Sequence, residues 1–194
     1  MAMKGLVVVF FICLFVYIDA NPYDLRRHTV HPQVGRSGMV VTTEKLASEI
    51  GVSILKKGGN AVDAAIAIGY ALAVTTPRAG NLGGGGFMLI YLAQEDKVVA
   101  LDYREIASGS ASSDLLLDKK GDYSYKRIKH HILATGVPGT VAGLELARQK
   151  YGTMSRRDLM LPALELANKG FSVNALLAQE LRDKQSDMQQ FPET

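Results

Sequence analysis

Residues 61–75 constrain this chain more than any other stretch, because they are apolar on nearly every side of a helix apart from Asp63. A helix that is hydrophobic all round must be buried. Asn60 is placed to cap it, Gly58 and Gly59 separate it from the preceding helix, and Pro77 closes it. The surrounding chain must therefore supply layers on several sides, which points to a sheet-and-helix domain.

The neighbouring pattern indicates which layers are available. Met39 to Val41 are expected to form a short strand, and Thr43 to cap a helix whose Leu46, Ile50 and Ile54 recur every fourth residue. After the buried helix a glycine-rich stretch, Gly80 to Gly86, leads into an apolar run from Phe87 to Ala93. Gln94, Glu95 and Asp96 make a turn before a second strand, Val98 to Glu105. The pair reads as an antiparallel hairpin. The period of two puts Val98, Ala100, Asp102 and Arg104 on one face and Val99, Leu101, Tyr103 and Glu105 on the other.

Residues 107–131 are polar, with one short apolar piece from Leu115 to Leu117. Gly136 to Gly139 form a turn, and Val141, Leu144, Ala147 and Tyr151 fall at helical spacing before Gly152. Ser155 with Asp158 starts a third helix through Leu159, Ala163, Leu166 and Ala167, closed by Gly170. A polar helix from about Asn174 to Met188 follows.

The amino terminus speaks to location. Lys4 precedes an apolar run from Leu6 to Ile18, followed by Asp19, Ala20, Asn21 and Pro22. The run is shorter than the roughly 20 residues a membrane span requires, and it reads as a secretory signal peptide over residues 1–20. Cys13, the one cysteine, belongs to that segment, so the exported part must be held by its core without disulfides. Residues 21–38 read as an extended arm. Lys4 and Asp19 leave together, so the net charge stays at +3. That is too mild to argue for nucleic acid or an anionic membrane as partner.

Several candidate sites have plain structural alternatives. The run Gly83 to Gly86 precedes a strand and brings no lysine, unlike a phosphate-binding loop. His130 and His131, behind Lys126, Arg127 and Lys129, do not share a helical face and have no carboxylate or cysteine at ligand spacing, so a solvated basic loop is expected. Asp102 and Glu105 fall on opposite faces, which weakens a general acid/base pairing. Arg104 stays open: acids on both sides favour a structural ion pair, yet its planar fork suits bidentate capture of a carboxylate ligand. Nothing in the chain calls for a metal or an organic cofactor.

Taken together, Ile54-Leu55-Lys56, Gly58-Gly59-Asn60-Ala61-Val62-Asp63-Ala64-Ala65, Gly80-Asn81-Leu82-Gly83-Gly84-Gly85-Gly86-Phe87-Met88, Asp102-Tyr103-Arg104-Glu105, Gly136-Val137-Pro138-Gly139-Thr140 and Pro162-Ala163 through Gly170-Phe171 resemble the large subunit of γ-glutamyltransferases. The Asn81-Leu82 wording resembles bacterial members. The resemblance runs in order from about Gly38 to Val173 and makes residues 39–194 the N-terminal portion of such a subunit, an incomplete domain.

The resemblance implies an α+β fold, the N-terminal-nucleophile hydrolase αββα sandwich, cut from one precursor into large and small subunits. It implies cleavage of the γ-glutamyl amide of glutathione or a related compound and transfer to water or an acceptor amino acid or peptide. The arginine of the Asp-x-Arg-Glu motif, here Arg104, would grip the substrate's α-carboxylate. The catalytic threonine belongs to the small-subunit segment, a partner these 194 residues do not contain. Thr42, Thr43, Thr75, Thr76 and Thr194 do not substitute for it, so the chain alone is expected to be inactive. A periplasmic or secreted location follows from the signal peptide. The alternative is a non-catalytic remnant, or a fragment that binds a partner, on the same fold.

Overall fold

A computed structural model describes residues 34–125, 128 and 132–190. The chain divides between Ser37 and Gly38, and the following concerns the unit from Gly38 onward. Residues 1–20, most of 21–38, the His130-His131 pair and Thr194 lie outside the described residues.

Helix α1 (Lys45–Lys56) is capped by Glu44, whose carboxylate accepts from the Ala47 N–H at 2.8 Å. Thr43 was the expected cap, but a side chain one residue later reaches the free amide. Thr42 is occupied instead with Ser48, at 2.8 Å between hydroxyls. Met39 to Val41 form no strand; Met39 and Val41 are exposed, and no strand among the described residues pairs with them.

Helix α2 (Ala61–Thr75) begins with a full capping box: Asn60 accepts from Val62 and Asp63 while the Asp63 carboxylate accepts from the Asn60 N–H at 2.9 Å. It is buried as its composition requires, with Val62, Ala64, Ile66, Ala67, Tyr70 and Ala71 in the core. Burying a side chain such as Ile66 fully contributes about 1.5–3 kcal/mol. Gly51 of α1 allows the close approach, since a β-carbon there would lie 2.5 Å from Ile68 Cδ1.

The hairpin forms as expected, with slightly shorter strands. Strands β1 (Phe87–Leu92) and β2 (Lys97–Asp102) pair antiparallel with Phe87 opposite Asp102 and Leu92 opposite Lys97. Asp96 closes the turn in the left-handed region, φ 48°, and its carboxylate accepts from the Tyr91 hydroxyl. One face, carrying Ile90, Val99 and Leu101, packs into the core. The other carries Phe87, Leu89, Tyr91 and Val98, all 61–76% exposed.

Helix α3 (Thr140–Tyr151) lies between β2 and α2, and α4 (Arg156–Lys169) packs on α2. The inward positions of α3 are Thr140, Gly143, Leu144 and Ala147. Val141 was expected among them but is 48% exposed, because the helix turns Gly143 toward Tyr103. Ser155 caps α4, accepting from the Asp158 N–H at 3.2 Å, and Gly170 ends it at φ 75°. Within α4, Leu159 and Ala163 are buried, whereas Ala167 is exposed. Glu145 ties α3 to α4 by accepting from Arg148 and Arg156. These bonds, led by that from Arg148, hold its carboxyl well below the usual range. Helix α5 (Ala175–Met188), capped by Asn174, is the last described helix. Among the described residues no helix is long and apolar enough to cross a membrane.

Candidate functional site

Arg104 stands two residues beyond the end of β2, where backbone pairing runs one step further than the strand. The Tyr103 N–H donates to the Gly86 carbonyl at 3.0 Å, and the Gly86 N–H returns to Tyr103 at 3.4 Å. On its other side the Val137 N–H donates to the Ile106 carbonyl at 2.8 Å. The Arg104 N–H itself donates to Asp102 Oδ1 at 3.0 Å. The segment 103–106 is therefore fixed on both flanks.

Glycines make this possible. A β-carbon on Gly85 would lie 2.4 Å from the Glu105 nitrogen, one on Gly139 would lie 2.0 Å from the Tyr103 carbonyl oxygen, and one on Gly143 would lie 2.1 Å from the Tyr103 ring. No side chain larger than hydrogen fits at these places. The Tyr103 ring is half-buried against Gly86 and Gly143, and burial pushes its phenol up. The glycine run thus serves backbone packing. The Gly84 N–H is taken by Asn81 and the Gly86 N–H by Tyr103, so neither is offered to an anion.

The Arg104 side chain is exposed. Asp102, the nearer acid in sequence, accepts from the Arg104 backbone; among the described residues no carboxylate pairs with its guanidinium. Arg104 instead lines an open depression of about 430 Å³ together with Ser108, Ser112, Ser113, Tyr123 and Thr135. Asp102 and Glu105 are not brought together: Asp102 sits on the exposed hairpin face and Glu105 lies against Gly85 and Gly136. Two of the threonine hydroxyls have local partners, Thr75 donating to the Ala71 carbonyl and Thr42 to that of Glu44. Among the described residues no group of histidine, cysteine and carboxylate side chains is arranged to hold a metal.

Two residues gain roles that pattern reading did not assign. Asp63 is fully buried and accepts from the Thr153 hydroxyl at 2.6 Å and from the N–H groups of Thr153 and Met154, besides that of Asn60. Burial raises its pKa, but these hydrogen bonds outweigh burial and leave it below the ordinary value. Its three-residue spacing from Asn60 signals the capping box; its bonds across to residues 153 and 154 have no signal along the chain. Asn81 accepts from both the Gly84 N–H and the Thr140 hydroxyl, a pairing separated by 59 positions.

Residues 47–194 match the family model described as Gamma-glutamyltranspeptidase. The chain belongs to the γ-glutamyltranspeptidase family. It is 48% identical over 166 residues to the "Glutathione hydrolase proenzyme" of Escherichia coli (strain K12), covering 86% of this chain and 28% of that one. A second relative of the same printed name, from Pseudomonas sp. (strain A14), is 54% identical over 140 residues, covering 72% of this chain and 24% of that one. The crystal structure of Helicobacter pylori γ-glutamyltranspeptidase superposes with a TM-score of 0.79 at 43% identity, over 83% of this chain and 46% of that one. The chain thus spans about a quarter of the length of these curated relatives. Its fold is the N-terminal-nucleophile hydrolase αββα sandwich, of which the described residues contribute helices and one hairpin.

Proposed function

We propose that residues 39–194 are the N-terminal portion of a γ-glutamyltranspeptidase large subunit and that Arg104 binds the α-carboxylate of a γ-glutamyl substrate such as glutathione. In this reading residues 1–20 direct export to the periplasm or beyond and residues 21–38 form an arm. The observation that carries the site is the contrast at Arg104: its backbone is fixed on both flanks while its guanidinium has no described carboxylate partner. The guanidinium of an arginine anchored at its backbone carries two parallel N–H donors, the geometry a carboxylate accepts.

The chemistry then divides between segments. The threonine hydroxyl of the small-subunit partner attacks the γ-carbonyl, with its own α-amine taking the proton. The amide C–N bond breaks, and the amine leaves with that proton. Water or an acceptor amine next attacks the ester, releasing glutamate or a new γ-glutamyl amide and regenerating the threonine. Arg104 takes no proton; its contact with the α-carboxylate, remote from the γ-carbonyl, is made equally in the bound substrate and in the transition state, so it contributes binding.

The test uses a chimeric proenzyme in which residues 47–194 replace the matching segment of the Escherichia coli relative. It is expected to cleave itself and to turn over a chromogenic γ-glutamyl amide, and Arg104→Lys should keep processing while lowering kcat/KM by about 2–5 kcal/mol. Lysine keeps the charge and loses the fork. Unchanged turnover in the variant would remove Arg104 from the site, and lost processing with a large fall in Tm would make it a structural ion-pairing residue.

A further inference from the structure

The depression beside Arg104 does not explain why the chain spends an asparagine on the glycine-rich loop. Asn81 Oδ1 accepts twice, from the Gly84 N–H at 2.8 Å and from the Thr140 hydroxyl at 2.7 Å, and its amide donates to the Ala79 carbonyl at 3.2 Å. Thr140 is buried and opens α3. The Gly84 carbonyl in turn accepts from the N–H groups of Gly139 and Thr140, at 2.8 and 3.0 Å. One asparagine oxygen and one glycine carbonyl therefore lock the loop before β1 to the first turn of α3.

Those two pieces are the ones that enclose the backbone of Arg104. Gly85 and Gly86 touch residues 103–105 from the loop side, and Gly136, Gly139 and Gly143 touch them from the helix side. If the lock opens, the walls separate and the arginine's backbone loses its flanking constraints, although no bond to Arg104 itself is broken. We propose that Asn81 is a positioning residue, which through Gly84 and Thr140 sets where the Arg104 guanidinium meets the substrate carboxylate. The proposal rests on the Arg104 reading above.

Positioning predicts a kinetic pattern that plain destabilisation does not. Uniform binding by Arg104 appears in KM, so its misplacement should raise KM while leaving kcat nearly unchanged. In the chimeric proenzyme, Asn81→Leu, similar in size but without an acceptor, is expected to raise KM about tenfold with kcat within about threefold. Asn81→Asp keeps both acceptor bonds and should stay within about threefold of the parent KM. Thr140→Val, which removes one arm of the lock, should move KM in the same direction as Asn81→Leu.

The deciding measurement is a double-mutant cycle with Arg104→Lys. Once the fork is gone, Asn81→Leu should change KM by less than about threefold. An equal KM effect in both backgrounds would overturn the proposal, as would an unchanged KM in Asn81→Leu. Loss of processing in both Asn81→Leu and Thr140→Val would overturn it too, because the lock would then belong to folding. A normal KM in Arg104→Lys alone would instead bring down the parent reading, and the positioning role with it.

Discussion

The Asp63 carboxylate closes a gap between segments 90 positions apart by accepting from the backbone and side chain of Thr153 as well as from Asn60 and Met154. A buried carboxylate with several donors is stabilised in its charged form, and removing it leaves the donors unpaired at about 1–3 kcal/mol each before relaxation. Asp63→Ala in the chimeric enzyme is therefore expected to lower stability by about 2–4 kcal/mol, read as a fall in Tm. The sign of the pH dependence follows from the depressed pKa. The contribution is complete above the ordinary carboxylate value of 3.8 and is lost as pH falls through the lower folded value. The parent should lose Tm on acidification below that point more steeply than Asp63→Asn. Parallel acid limbs in the two proteins would assign the stability to other carboxylates.

At the scale of elements, the glycines separate into kinds that composition alone does not distinguish. Gly83 has open space around the place a β-carbon would take, whereas β-carbons on Gly139 and Gly143 would lie 2.0 Å from the Tyr103 carbonyl oxygen and 2.1 Å from its ring. Both close approaches hold α3 against the end of β2. Gly83→Ala is expected to change Tm and γ-glutamyl turnover little, within about 0.5 kcal/mol. Gly143→Ala forces α3 away from Tyr103 and should cost about 1–3 kcal/mol or more, because overpacking displaces backbone as well as side chains. Gly139→Ala, which meets a backbone oxygen, should be worse still. The check is thermal melting and subunit processing of all three variants side by side; a tolerated Gly139→Ala would mean that the helix and strand approach less closely than described.

For the whole molecule, the hairpin has one face in the core and the other open. Phe87, Leu89, Tyr91 and Val98 form a contiguous apolar face, and both outer strand edges lack a neighbouring strand among the described residues. Such edges and faces invite association when nothing covers them. The 194-residue chain expressed alone is expected to self-associate and to show neither self-cleavage nor γ-glutamyl hydrolysis, since the proposed nucleophile lies in another segment. Leu89→Lys should reduce that self-association, measured by sedimentation, yet impair processing of the chimeric proenzyme, where the same face would meet the second sheet. A monodisperse parent with a sharp thermal transition would contradict the expectation.

The buried character of α2, the hairpin, the caps at Asn60 and Ser155, the polar helix ending at Met188 and the stops at Gly152 and Gly170 were all legible along the chain. Each depends on residues within one helical turn or one strand period, so local spacing carries the information. The cap of α1 was misplaced by one residue, because Thr42, Thr43 and Glu44 all offer an oxygen and only the folded backbone selects among them. Met39 to Val41 have no strand partner among the described residues, which composition cannot reveal. Val141 was misassigned because Gly143, with no side chain, sets the packed face of α3 by letting Tyr103 in. For Arg104, sequence supplied the residue and its two possible partners, a neighbouring acid or a ligand. The Asp102 carboxylate turns out to accept from the Arg104 backbone N–H, a local bond two residues long. The enclosure by Gly85 and Gly139, the Asn81–Thr140 lock and the bonds from Asp63 to residues 153 and 154 belong to tertiary structure. They join positions far apart in the chain, and no local periodicity encodes a contact of that separation.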